Sequence, residues 1–193
     1  MGRPREFDVD DALETALQLF WRKGYEGTSL SDLTEAMGIT RPSLYSAFGN
    51  KESLYRKALD RYRTERACMA AAALGEPTSR AVVETLLYGF CDAATDPHCP
   101  GGCLAVNSTL ACSDQAAAVR DEQIAQRREL ELALATRFEV CRAAGDLPDS
   151  SSPSDLARYV MTMFQGLAVQ AGSGASREEL RNVVAMVLRG WPG

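Results

Sequence analysis

Apolar residues recur at helical spacing from near the start of this chain. Val9, Ala12, Leu13, Ala16, Leu17 and Phe20 fall along one face of a helix. Asp8 stands where an N-cap is needed, Phe7 and Ala12 are placed for a hydrophobic staple, and Gly24 marks the stop. A second helix is predicted from about Leu30 to Met37, capped by Thr28 or Ser29. Its inward face is Leu30, Leu33 and Met37, and Gly38 breaks it. A third, short helix follows Thr40, with Pro42 tolerated in its first turn and Leu44 and Phe48 facing inward. Gly49 ends it. Asn50 caps a fourth, long helix from Lys51 to about Leu74, which Gly75 and Pro77 stop. More helical segments are predicted near 78–94, 103–112, 114–144, 154–172 and 177–190, separated by the turn-rich TDPHCPGG, GDLPDSSSPS and GSGAS. No alternating strand pattern competes. The expected class is all-α, about nine helices: a three-helix N-terminal domain and a larger C-terminal helical bundle. The expected domains are 1–52 and 53–193, with the long helix 51–74 shared between them as a rigid rod.

Two short helices joined by a glycine turn, in TSLSDLTEAMGITRPSLYSAF (28–48), form a helix-turn-helix pattern. The apolar positions of both helices are used up in packing on the first helix. The second of the pair keeps a polar outer face of Thr40, Arg41, Ser43, Tyr45 and Ser46. Such side chains reach base edges and phosphates in a major groove, and Arg41 is the residue suited to guanine. Ser29, Thr40 and Lys51 stand at or beside helix N-termini, where free N–H groups and the dipole favour phosphate. Arg3 and Arg5 lie on an arm before the first helix, able to follow the backbone or enter the minor groove. By spacing alone, a small three-helix bundle with no nucleic-acid role fits the same residues.

Charge limits the kind of binder. The 193 residues carry a net charge of −5, which argues against a non-specific nucleic-acid coat or an architectural DNA protein. It leaves room for a specific reader with locally placed basic groups, and all three lysines, Lys23, Lys51 and Lys57, lie in the first third. No apolar run approaches a bilayer span and no secretory signal opens the chain, so the expected compartment is the cytoplasm. Reduced thiols are then expected for the six cysteines.

The segment EFDVDDALETALQLFWRKGYEGTSLSDLTEAMGITRPSLYSAFGNKESLYRKALDRY (6–62) resembles the N-terminal domain of the tetracycline-repressor (TetR/AcrR) family of transcriptional regulators. The resemblance rests on the KGYEGTS passage, the glycine turn, SLYSAFGNKESLY and the long helix behind it. It implies a DNA-binding regulator, by family default a repressor released from a palindromic operator by an effector in the C-terminal domain; an activator is the alternative. By position it implies that Thr28 and Ser29 cap the second helix and touch phosphate. Arg41, Pro42 and Ser43 match the base-reading start, and Tyr45 and Lys51 match phosphate contacts. The family's usual histidine before the phenylalanine is Ala47 here.

Two late segments carry the heaviest apolar content. Leu156, Val160, Met163, Leu167 and Ala171 form one stripe, broadened by Tyr159, Phe164 and Ala168. Leu180, Val183, Val184, Val187, Leu188 and Trp191 form another. Helices apolar over so much of their circumference are buried on more than one side. The expected homodimer interface is Met163, Leu167, Ala171, Val183, Val184, Val187 and Leu188, and the family resemblance points the same way.

The stretch TDPHCPGGCLAVNSTLAC (95–112) is the most unusual. Its prolines and glycines forbid helix until about Cys103, which places a thiol at a helix start. Three readings stay open: Cys103 as a packing residue, as a redox or electrophile sensor with Cys99 as resolving thiol, or as a soft-metal ligand with His98 and Cys99. The last lacks a fourth ligand. Asn107, one turn on, would share its face, and Tyr88, Phe90, Met163 and Phe164 are further candidates to line an effector pocket. His98 is the single histidine, and no catalytic constellation, metal motif or phosphate loop is present, so neither an enzyme nor a cofactor is expected.

Overall fold

The computed structural model describes residues 7–106 and 117–193. Arg3, Arg5, Asn107 and Cys112 lie outside the described residues. The described chain is helical, with no strand: α1 Val9–Lys23, α2 Leu30–Met37, α3 Arg41–Phe48, α4 Lys51–Leu74, α5 Ser79–Ala94, α6 Ala117–Ala143, α7 Pro153–Gly172 and α8 Arg177–Arg189. A further helical turn opens at 104–106.

Local chemistry sets the ends of the first helices. Asp8 caps α1, its carboxylate accepting from the Asp10 and Asp11 amides at 2.7 and 3.1 Å. Ser29 and Asp32 form a reciprocal capping box on α2. Gly38 takes the left-handed conformation, φ 64°, which lets the chain turn sharply from α2 into α3. Thr40 and Asn50 cap α3 and α4 through the Ser43 and Ser53 amides.

The apolar faces meet as the spacing requires. Ala16, Leu17 and Phe20 of α1, Leu33 of α2, Leu44 and Phe48 of α3, and Leu54, Tyr55 and Ala58 of α4 are buried together. Phe20 meets Tyr55 edge-on, with centroids 4.8 Å apart. Farther along α4 a second core begins. There α5 packs against α4, α6, α7 and α8, and α6 lies along α7. Trp191 closes the far end, its indole N–H donating to the buried Ser79 hydroxyl at 3.0 Å. The 95–103 loop presses against α7. A Cβ built on Gly102 would lie 3.0 Å from Gly172 Cα and 3.1 Å from the Ala168 carbonyl oxygen.

Candidate DNA-reading face and effector cavity

Polar side chains stand at the capped starts of α2, α3 and α4. Arg41, Pro42, Tyr45 and Ser46 are exposed on α3 while Leu44 and Phe48 are buried beneath them, so the short helix shows one polar face outward. Thr40, exposed, and Ser43, half-buried, share a hydroxyl–hydroxyl bond of 2.9 Å at its start. Arg41 Nη2 donates to the Ser31 hydroxyl at 2.8 Å, which ties the start of α3 to the first turn of α2. Lys51 stands over the Tyr25 ring, 4.2 Å from its centroid. Partial burial there pulls the ammonium below its ordinary range, while Glu26 and Asp32 oppose that shift.

Thr28 and Ser29 take different places. Ser29 is exposed at the α2 N-terminus. Thr28 is wholly buried, and its hydroxyl donates to the Gly24 carbonyl at 2.7 Å. Its side chain fastens the α1–α2 turn and faces inward. Ser31 and Tyr25 were absent from the sequence-based set. A serine two residues inside a helix carries no signal of its own; only the α2–α3 crossing brings it to Arg41.

A cavity of about 190 Å³ opens in the second core, between α4, α5, α6, α7 and the turn at 104–106. Phe90, Cys103 and Phe164 line it, with Tyr62, Arg66, Gln123, Gln126 and Leu130 among the other walls. Phe90 and Phe164 pack ring to ring at 4.3 Å. Two other pocket candidates lie elsewhere: Tyr88 sits beneath the Arg181 guanidinium at 4.3 Å, and Met163 lines a separate groove between α7 and α8. Cys103 is buried, and the Tyr62 hydroxyl donates to its sulfur at 3.3 Å. Burial, with Cys103 beside it, pushes the Tyr62 phenol well above its usual range, so it stays a neutral donor. Cys99 opens instead onto a surface groove shared with Cys68; Arg66 and Met69 belong to both walls and stand between the two sites. Burial raises the Cys99 thiol. No group of three or more metal-ligating side chains occurs among the described residues.

The expected dimer residues divide by burial. Leu167, Ala171, Val184, Val187 and Leu188 are buried by their own subunit. Val183 is exposed and Met163 half-buried. Exposed Tyr159, Val169 and Met186 join these two on the outer faces of α7 and α8. No helix among the described residues is long and apolar enough to cross a membrane.

Known proteins resemble the chain in sequence and fold. Residues 12–58 match the bacterial regulatory proteins of the tetR family, and residues 77–187 match the tetracyclin repressor-like C-terminal domain. The chain is 36% identical over 197 residues to the HTH-type transcriptional repressor ComR of Escherichia coli K12, covering 99% of this chain and 92% of that protein. A cysteine variant of the TetR family transcriptional regulator CifR, solved with 26-bp double-strand operator DNA, is 42% identical. It superposes with a TM-score of 0.92 over 98% of this chain and 100% of that one. A TetR regulator of Rhodococcus sp. RHA1 is 43% identical with a TM-score of 0.65, covering 94% and 98% of the two chains.

Proposed function

The chain belongs to the tetR family of bacterial regulatory proteins, and from this premise we propose that it is a dimeric cytoplasmic repressor that leaves its operator when an effector fills the second-core cavity. One observation carries the DNA half of this reading: α3 exposes Arg41, Pro42, Tyr45 and Ser46 on a small buried core. The CifR chain of the same fold, 42% identical, was solved on operator DNA. Arg41 reads a base edge, while Tyr45, Ser29 and Lys51 hold phosphates. Residues 1–52 are the reader, and α4 carries the reader on the sensing domain. Thr28 acts by holding the turn below Ser29.

Footprinting on the DNA upstream of the chain's own gene and its neighbours tests this. A discrete palindromic footprint is expected, with half-sites about one helical turn apart or somewhat more. Arg41→Ala is expected to cost about 1–3 kcal/mol at the site and to relax its specificity. Lys51→Ala is expected to weaken binding evenly across sequences and to flatten the salt dependence. Uniform coverage, or unchanged affinity in both variants, removes the reading.

A covalent form of the same control is favoured by one contact. Cys103 is in the cavity wall with a phenol donating to its sulfur, so a small electrophile entering the cavity meets this thiol first. Cys99, facing the other groove, has no part in that reading.

A further inference from the structure

Among the described residues the cavity is charged in one sense only: three arginines line it, Arg63, Arg66 and Arg127, and no aspartate or glutamate does. Arg63 is paired with Asp60 on its own helix. Among the described residues Arg66 has no such partner. Its guanidinium carbon lies 5.2 Å from the Trp21 ring centroid and 5.1 Å from that of Tyr62, and its Nη1 is buried with no acceptor among the described residues. Opposite, on α6, Gln123 is only 2% exposed; among the described residues its Nε2 is buried with no acceptor, and the Oε1 of Gln126, also in the wall, is buried with no donor. Phe90, Leu130, Met161 and Phe164 supply apolar wall.

Buried donors left without acceptors are costly, and a cationic donor the more so. An oxyanion removes both donor deficits at once and leaves only the Gln126 oxygen as it was. It accepts from Arg66 and Gln123, and it pairs a guanidinium that makes no salt bridge among the described residues. A neutral apolar ligand fills the space and leaves both donors as they were. The volume, below the roughly 300–1,000 Å³ of pockets for drug-sized ligands, limits the body to something small. We propose that the effector is a small carboxylate or other singly charged oxyanion on an apolar body, with Arg66 and Gln123 as its head-group donors. This deepens, and rests on, the reading of the cavity as the control site.

Arg66 also has a second neighbour of consequence. Trp21 belongs to α1, in the reading domain, and meets Tyr62 of α4 edge-on at 4.8 Å. One guanidinium therefore faces the ligand and packs on both rings at the join between the two cores. An anion that draws Arg66 inward loosens its packing on Trp21. The ligand then favours a different seating of α1 on α4, as differential binding requires.

Benzoate, benzamide and benzyl alcohol test the head group, since they share one ring and differ in charge. A ring is a suitable body, because an apolar cavity of about 150 Å³ holds benzene. The full-length protein is titrated with each, followed by thermal unfolding and by tryptophan fluorescence, with operator affinity measured in parallel. Benzoate is expected to bind about tenfold or more tighter than benzamide. Arg66→Met is expected to abolish that preference and Arg66→Lys to keep part of it; if Arg66→Met fails to fold, the three probes on the unmodified protein decide alone. Equal binding of benzoate and benzamide, tighter binding of the alcohol, or no benzoate binding at millimolar concentration overturns the proposal. A neutral probe that binds and releases operator overturns the anion site and leaves the regulator reading standing. Arg66-dependent benzoate binding without any change in operator affinity supports the anion site and removes its role in control.

Discussion

Thr28 and Ser29 are adjacent hydroxyls with opposite surroundings, one buried against the Gly24 carbonyl and one exposed at a helix start. Nothing in a TS dipeptide separates these two uses; the α1–α2 turn does. The same holds for the thiols. Cys68 is exposed, and Cys103 is buried at the cavity wall beneath the Tyr62 hydroxyl. Exposure alone favours alkylation at Cys68, whereas a sensing thiol reacts ahead of more accessible ones. Brief treatment with substoichiometric iodoacetamide, read by peptide mass spectrometry, is expected to label Cys103 before Cys68, with loss of operator binding that Cys103→Ser prevents. In that step the sulfur bonds to the acetamide carbon, iodide leaves and the thiol proton passes to solvent. Labelling at Cys68 first leaves Cys103 as a packing residue. The cysteine was legible as unusual from its Pro–Gly surroundings. Its partner Tyr62 was not, because the two are 41 residues apart and meet only through tertiary packing.

Helix ends were the most legible elements. Asp8, Ser29, Thr40 and Asn50 each cap the helix that the pattern assigned to them, since capping is a contact over two or three residues and needs no tertiary context. Helix faces were less so. The α7 stripe of Leu156, Val160, Met163 and Leu167 lies along one edge of the buried face and not at its centre. Val160 and Leu167 are buried, Leu156 and Met163 only half so, and Ala157, Met161 and Ala168 complete the inner face. A helix apolar almost all round does not declare which side meets its own subunit. The 95–103 loop gives a test at this scale. Gly102, at φ 81°, lies against the α7 backbone, whereas Gly145, at φ 79°, has nothing within 4 Å of a built Cβ. Both substitutions to alanine carry positive-φ strain, but only Gly102→Ala also drives a methyl into Gly172 and the Ala168 carbonyl. Gly145→Ala is expected to cost about 1 kcal/mol and Gly102→Ala at least about 2 kcal/mol, lowering Tm by about 4–8 °C in a chain of this size. Equal shifts in the two variants by calorimetry would mean that the loop does not brace α7.

For the whole molecule, α4 is the shared element: Leu54 and Tyr55 belong to the first core, Tyr62 and Arg66 to the cavity. A coupling of about 1–3 kcal/mol through such a helix changes operator affinity by about 5–150-fold. That lever acts on operator spacing only if two readers are held at a fixed distance, so control depends on the dimer. The outer faces of α7 and α8 leave Val169, Val183 and Met186 exposed, Met186 by 64%. Three such apolar side chains on neighbouring helices form a patch of the kind that covers a partner. Gly166, in the groove between these helices, has nothing within 4 Å of a built Cβ and leaves room for close approach of a second copy. A charge placed at the centre of a two-fold patch meets its own copy, so one substitution acts twice. Met186→Glu is therefore expected to convert the dimer to monomer in sedimentation velocity, with little change in the thermal unfolding of the isolated subunit because Met186 is exposed there. Operator affinity should fall with it, because each half-site then binds alone. As a control, Val140→Glu puts the same charge at an exposed valine on α6 and should leave both readings unchanged. A Met186→Glu protein that remains a dimer moves the interface to another face and removes α7 and α8 from the mechanism by which the readers are spaced.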